Sequence, residues 1–447
     1  MTIADRHQLT TDKPSLQLPS DRAAPPRITR PYLLVVPIPV YVDGEGRRWV
    51  DALWYKDLVL HLDYIRDLTI ACPQVHAAPK PGARSLDGLS VGFVALPRPG
   101  GRLRNLLSAP KLVAALWRGI AAADVVHTGP GDWNPLSLGT LSSAIAQLQR
   151  KFRLVLVESS WWRLLPGQRA GLAERLGAAA SEMVSQLCVS TADLAVFTQA
   201  EYQDTLLFHR ERGHVLNASW VDEEDILSEA AAAEVWSRKA NPERVRFLFA
   251  GRLARSKGVL DLLAAVRSLE GAGVEVAVDI MGDGELRAAC LSAESTGPGV
   301  VVRVLDPVEY GPPFLEALRG YHALLVPNLG DEQPRIVFDA YSQAVPVLAS
   351  ATPGLKECVE EDVTGRFFPP GSPAELAHMI GWAAREVPTL MKLGMNGRRR
   401  AETVTHRQMH SRRHVIIDQA LRASGRFPAE DLSGSPADRS PPTSLSQ

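Results

Sequence analysis

Arg252 and Lys257 stand at either end of a short loop that follows the apolar run Phe247-Leu248-Phe249-Ala250, with Gly251 before the arginine and Gly258 after the lysine. A glycine at a strand end lets backbone approach a ligand closely, and two cations beside it can neutralise a diphosphate. Most arginines and lysines are solvated surface charges, so the pair alone decides nothing. A second segment, Val326 to Ser350, sets Asp331 and Glu332 just before Pro334, a residue suited to a first helical turn, and Asp339 on the helix that follows. Carboxylates placed there can accept hydrogen bonds from sugar hydroxyls, while the free N–H groups of Arg335 and Ile336 face an anion. The plainer alternative is an N-capping acid and an exposed helical acid.

Such residues need a scaffold that brings distant loops together. The chain has 447 residues, 45% hydrophobic and 22% charged, enough for two domains with a cleft between them. Lys plus Arg (49) nearly cancel Asp plus Glu (50), so no global field favours nucleic acid, and an anionic ligand must be held by local cations. The four cysteines, Cys72, Cys188, Cys290 and Cys358, form no CxxC pair, which argues against a zinc site and a disulfide framework and fits a reducing cytoplasm. Neither a signal-peptide core nor an apolar run of roughly 20 residues is present, so a secreted or membrane-spanning protein is not expected.

Along the chain, short apolar runs alternate with stretches of helical spacing, the pattern of parallel sheets covered by helices. The expected fold class is α/β, with two doubly wound, Rossmann-like domains facing across a cleft. Residues 1–27 and 426–447 are rich in Pro, Ser and Asp and are expected to be disordered arms. An amino-terminal domain is expected over 28–220, a charged and Ala-rich connection over 221–244, and a second domain with a closing helix over 245–425. In the first domain, YLLVVPIPVYV from Tyr32 reads as one strand closed by the loop Asp43-Gly44-Glu45-Gly46.

Three motifs in order, Phe249-Ala250-Gly251-Arg252 through Lys257-Gly258, then Gly282-Asp283-Gly284, then Pro346 to Gly365, resemble family 4 glycosyltransferases of the GT-B superfold, of the bacterial polysaccharide or glycoconjugate type. The resemblance runs from Val245 to about Ile380. It implies a retaining transferase that takes a sugar from a nucleotide diphosphate and gives it to a saccharide, glycolipid or small-molecule hydroxyl. In that family two acids with seven residues between them span the donor, which selects Asp331 for the sugar and Asp339 for the ribose. The local EQPR context makes Glu332 a competitor for the first role, and Asp339 replaces the usual glutamate. Arg252 and Lys257 then neutralise the leaving diphosphate, Gly251, Gly282, Gly284, Arg335 and Ile336 line it, and no metal or other cofactor is needed.

The same resemblance places the donor sugar and acceptor against the first domain. His127 ends the run Asp124-Val125-Val126-His127, but Gly129 stands where the family carries a second histidine, leaving Asp132 as a candidate for polar contacts. Gly44 and Gly46 fall in the loop where the family binds acceptor and donor phosphate. Trp161, Trp162, Arg163 and Arg169 suggest a patch that meets a lipid-linked acceptor at the inner membrane face. Two other classes compete. A nicotinamide oxidoreductase would need a GxGxxG turn, which is missing; a non-catalytic nucleotide-sugar scaffold, or within the same fold a sugar-nucleotide epimerase, would keep the donor site alone.

Overall fold

A computed structural model describes residues 25–80, 82–208, 212–297 and 299–428. Two parallel sheets carry the molecule. The second is the simpler: six strands in the spatial order Val300–Leu305, Val276–Met281, Val245–Ala250, Ala323–Val326, Val347–Ser350, Gly365–Phe368, all parallel. The strands are mostly apolar because helices cover both faces of the sheet, and the buried Asp279 in Val276–Met281 is paired with Arg246 and Arg303 from the strands on either side. The strand that comes first in sequence lies in the middle, so the crossovers leave it in opposite directions and open a crevice at its carboxyl end.

The first sheet obeys the same rule. Tyr32–Val35 lies between Leu68–His76 and Val125–Thr128, with Val91–Leu96 beyond the former and Phe152–Val157, Leu194–Phe197 and Gly213–Val215 beyond the latter. The expected single strand from Tyr32 is in fact two. Pro37 and Pro39 supply no N–H to a ladder, so the first strand stops at Val35 and Val40–Val42 starts a separate hairpin with Arg48–Val50. The backbone entering the crevice is therefore Val36-Pro37-Ile38, and Gly44 and Gly46 sit at the exposed hairpin tip, where Asp43 accepts hydrogen bonds from Glu45 N, Arg47 N and the Trp49 indole.

The domain limits also shift. The connection read over 221–244 contains the helix Glu229–Lys239, whose Trp236 is buried in the core of the second domain and donates to Ala344 O at 2.9 Å. The last helix, His406–Ala423, belongs to the first domain: Met409, Ile416, Ile417 and Leu421 pack among Ile28, Tyr32 and Leu68. Its start is fixed at the crossing, with Thr405 capping Gln408 N and His406 N bonded to Val221 O. Most of the two expected disordered arms lies outside the described residues.

Candidate functional site

At the crevice of the second domain, Gly251 N bonds Met281 O and Leu253 N bonds Asp283 O, which draws two strand ends together. The approach is so close at Gly282 (φ +151°) that a Cβ there would lie 1.9 Å from the Gly251 carbonyl oxygen. Gly258 (φ +69°) turns the chain into the helix Val259–Ser268 with its α-carbon against Pro327 O, where a Cβ would come within 1.8 Å. Side chains are thus excluded at Gly258 and Gly282. Backbone comes to the crevice there, beside Arg252 and Lys257.

The result is a cavity of about 450 Å³ whose wall brings together Gly251, Arg252, Lys257, Gly282, Arg335, Ile336 and Asp339. Arg252 is exposed to the cavity, and it meets no carboxylate among the described residues. Lys257 Nζ reaches Glu332 Oε1 at 2.5 Å, so Glu332 stands beside the cavity as the partner of the lysine. Gly284 packs on the backbone of Leu253 behind the wall. Asp339 is buried, accepts the Tyr310 hydroxyl at 2.9 Å, and has its carboxyl pushed up to about 7 by burial, against the opposing pull of that hydrogen bond and of Lys56. Asn328, at the end of Ala323–Val326, is buried with its Nδ2 unpartnered on the same wall. Neither Asn328 nor Tyr310 was singled out from sequence; a polar residue directly after an apolar strand was the available signal for Asn328.

Asp331 is not on that wall. It accepts Ser160 Oγ at 2.7 Å, the Tyr202 hydroxyl at 3.1 Å and Arg163 at 3.1 Å, all from the first domain. Arg163 also grips Glu182 and Glu201, each at under 3 Å, so it is the hub of an inter-domain ion-pair network and not part of a lipid-facing patch. Trp162 is buried and donates to Glu182; Trp161 is exposed.

A second cavity, of about 510 Å³, opens at the carboxyl ends of the central strands of the first sheet and shares Arg335 with the first. Arg335 stacks 4.6 Å from the Trp220 ring and donates to Glu158 at 2.8 Å, joining the domains between the two cavities. His127 lines this second cavity, hydrogen-bonded through Nδ1 to the Tyr32 hydroxyl at 2.9 Å; Asp132 does not, its carboxylate being taken up by Asn134 N in a local turn. Behind His127 lies a cluster that sequence reading missed. Asp57 Oδ1 accepts Nε2–H of His406 at 3.1 Å and of His410 at 2.9 Å, and Oδ2 faces His61 Nδ1 at 3.2 Å. His61 Nε2 in turn faces the buried guanidinium of Arg413 at 3.2 Å. Burial opposes charge on Asp57, but the neighbouring His61 and the three N–H donors outweigh it and hold its carboxyl well below the ordinary range. Burial, with Arg413 nearby, keeps His127 and His410 neutral well below 6.5.

Asp57, His406 and His410 are, among the described residues, the one group of three ligating side chains with ligand atoms within 4.8 Å of each other. Carboxylate-to-imidazole hydrogen bonds account for that approach, and the buried charge of Arg413 opposes a divalent cation there.

Residues 244–386 match the family model described as Glycosyl transferases group 1. The group 1 segment thus contains the whole first cavity. Over 182 residues the chain is 29% identical to the glycogen synthase of Thermus caldophilus, a match that spans 40% of this chain and 40% of that protein. A longer match, 23% identical over 363 residues, covers 75% of this chain and 87% of the alpha-maltose-1-phosphate synthase of Mycobacterium tuberculosis. In three dimensions the chain superposes on HepE of Anabaena, solved in complex with UDP-glucose, with a TM-score of 0.61 at 14% identity, over 88% of this chain and 100% of that one. The fold is GT-B, two Rossmann-like domains with the group 1 segment in the second.

Proposed function

We propose that this protein is a retaining glycosyltransferase of the family 4 kind, which moves a sugar from a nucleotide diphosphate to a hydroxyl acceptor. The observation that carries the reading is a guanidinium, Arg252, that meets no carboxylate among the described residues and stands beside Lys257 and the glycine backbone of Gly251 and Gly282, in the stretch that matches the group 1 family. In this reading the diphosphate lies between Arg252, Lys257 and the backbone at Gly251 and Gly282. As the bond from anomeric carbon to phosphate oxygen breaks, the leaving diphosphate gains charge, and the two cations stabilise that charge more than they stabilise the bound donor. Lys257 gives up Glu332 to reach the phosphate, which frees Glu332 to accept a hydrogen bond from the sugar. Asp339 meets the ribose.

The acceptor, a saccharide or a glycolipid, enters the cavity of the first domain beside His127 and attacks from the face the nucleotide leaves. A donor phosphate oxygen takes its proton, and no metal is called for in this scheme. UDP-glucose, the ligand in the HepE complex, is the first donor to try.

The test is a binding screen of UDP-, GDP-, ADP- and dTDP-linked sugars, followed by mass spectrometry of products with cell extract as acceptor. Binding of one donor, with release of its nucleoside diphosphate and a glycosylated product, supports transfer. Binding with no release supports a nucleotide-sugar scaffold instead, a reading favoured by the full occupation of Asp331 by first-domain donors. Conversion of the donor without acceptor supports an epimerase. A chain indifferent to every activated sugar removes the proposal.

A further inference from the structure

Between Gly88 and Ala123 the sequence holds five cations, Arg98, Arg102, Arg104, Lys111 and Arg118, and no Asp or Glu. In a chain whose charges nearly cancel overall, this is a local concentration of one sign. The segment comprises the strand Val91–Leu96 and the helix Arg102–Ala121. One side of the helix is anchored, with Leu116 and Ile120 fully buried in the first-domain core. The opposite side is apolar as well: Leu103, Leu106 and Leu107 are 71%, 65% and 73% exposed, and Trp117, ten residues beyond Leu107 on the same stripe, is 47% exposed.

Four of the cations converge. Arg98, Arg104, Lys111 and Arg118 line an open groove of about 890 Å³ along one flank of the helix, with Gln74 and His76 opposite. All four are exposed, and none meets a carboxylate among the described residues. On the other flank, Leu106, Val113 and Trp117 line a shallow apolar recess. Because the strands pair in parallel, this groove, at the carboxyl end of Val91–Leu96, opens on the same edge of the sheet as the inter-domain cavity.

We propose that this face docks on an anionic phospholipid bilayer, with lipid phosphates in the cationic groove and the leucine stripe and Trp117 in the interfacial layer. A helix with an exposed apolar stripe flanked by cations meets both requirements of such a surface, apolar burial and attraction to negative headgroups. A soluble polyanion would use the groove and leave the leucines in water, a costly surface for a monomer to carry. The claim is independent of the transfer reading and moves the membrane contact from Trp161–Arg169, where Arg163 is committed to the ion-pair network, to the Arg102–Ala121 helix.

The experiment is flotation of the full chain with vesicles of phosphatidylcholine alone and of phosphatidylcholine with phosphatidylglycerol. Binding is expected to the anionic vesicles only and to weaken with added salt. The triple variant Arg98→Glu, Arg104→Glu, Lys111→Glu should lose at least about 100-fold in partitioning, since each basic side chain near an anionic surface is worth about fivefold. The double variant Leu106→Ser, Leu107→Ser should also lose binding, including the part that resists salt. Circular dichroism and thermal melting should be unchanged in both, since the altered side chains are exposed. Equal binding to neutral vesicles, no binding to either, or full retention by the charge variant overturns the proposal. So does tight binding of heparin with vesicle binding insensitive to the leucine changes, which would make the groove a soluble-polyanion site.

Discussion

The two cavities of this molecule are built on opposite plans. The one in the second domain is walled by backbone and by side chains that lie within one stretch of chain, and its leading cation, Arg252, has no acidic partner among the described residues. The one in the first domain is backed by residues some 350 positions apart in sequence, Asp57 and His61 with His406, His410 and Arg413, whose polar atoms largely satisfy each other. An unpaired charge beside glycine backbone is a place prepared for an anion; a buried network around one carboxylate is a way of holding two chain segments together. The difference separates a surface that should respond to ligand from one that should respond to stability.

Substitutions can break that contrast. The largest effect is expected for Arg252→Ala, which should lower kcat by roughly 10²- to 10³-fold, as loss of one preorganised donor does; a change confined to KM would remove its part in the reacting state. Next, Asp57→Ala should cost about 3 kcal/mol in denaturant unfolding, the lower end for removing one member of a buried charged cluster, because it leaves the N–H groups of His406 and His410 unpaired and takes away a carboxylate that offsets the nearby Arg413 charge. Donor affinity should be unaffected, and a loss of affinity at full stability would reverse the roles assigned to the two cavities. Arg163→Ala should cost less, about 2 kcal/mol, since its partners Glu182, Glu201 and Asp331 keep a fifth to a third of their side-chain exposure and water can screen them.

Acidity supplies the smallest and sharpest test, because the cavities tilt the stability profile in opposite directions. Asp339, with its carboxyl near 7 when folded and near 3.8 when unfolded, holds a proton in the folded chain that the unfolded chain has released. Its contribution is full below 3.8 and disappears as pH rises through about 7. His410 stays neutral when folded below 6.5, so the unfolded chain takes up the extra proton and stability falls as pH drops through that value. Thermal melts should show Asp339→Asn gaining on the parent as pH rises from mildly acidic to mildly alkaline. His410→Gln, which keeps an N–H for Asp57, should lose less than the parent on acidification. Parallel curves in either comparison would show that the group does not titrate as described.

The contrast also explains what could be read from sequence. Gly251-Arg252, Lys257-Gly258 and Gly282 were legible because strand, turn and helix place them locally, and the α/β alternation was legible because parallel strands covered on both faces are mostly apolar. The first-domain cluster was not, since nothing in the spacing of Asp57 and His61 says that the last helix returns across the molecule to meet them. Asp331 and Glu332 show the limit within a motif: neighbouring acids with the same local context took different partners, Arg163 for one and Lys257 for the other. The hairpin at Gly44 and Gly46 turned on two prolines whose missing N–H groups weighed more than the apolar run around them.

The most direct measurement is titration calorimetry of the intact protein with the donor identified by the nucleotide-sugar screen, and with its free nucleoside diphosphate, repeated for Arg252→Ala. Tight binding of the diphosphate by the parent, weakened by high salt and lost in the variant while its melting temperature holds, is the expected result. Equal affinity in parent and variant would contradict the account, because the cation at its centre would then have no part in holding the phosphates.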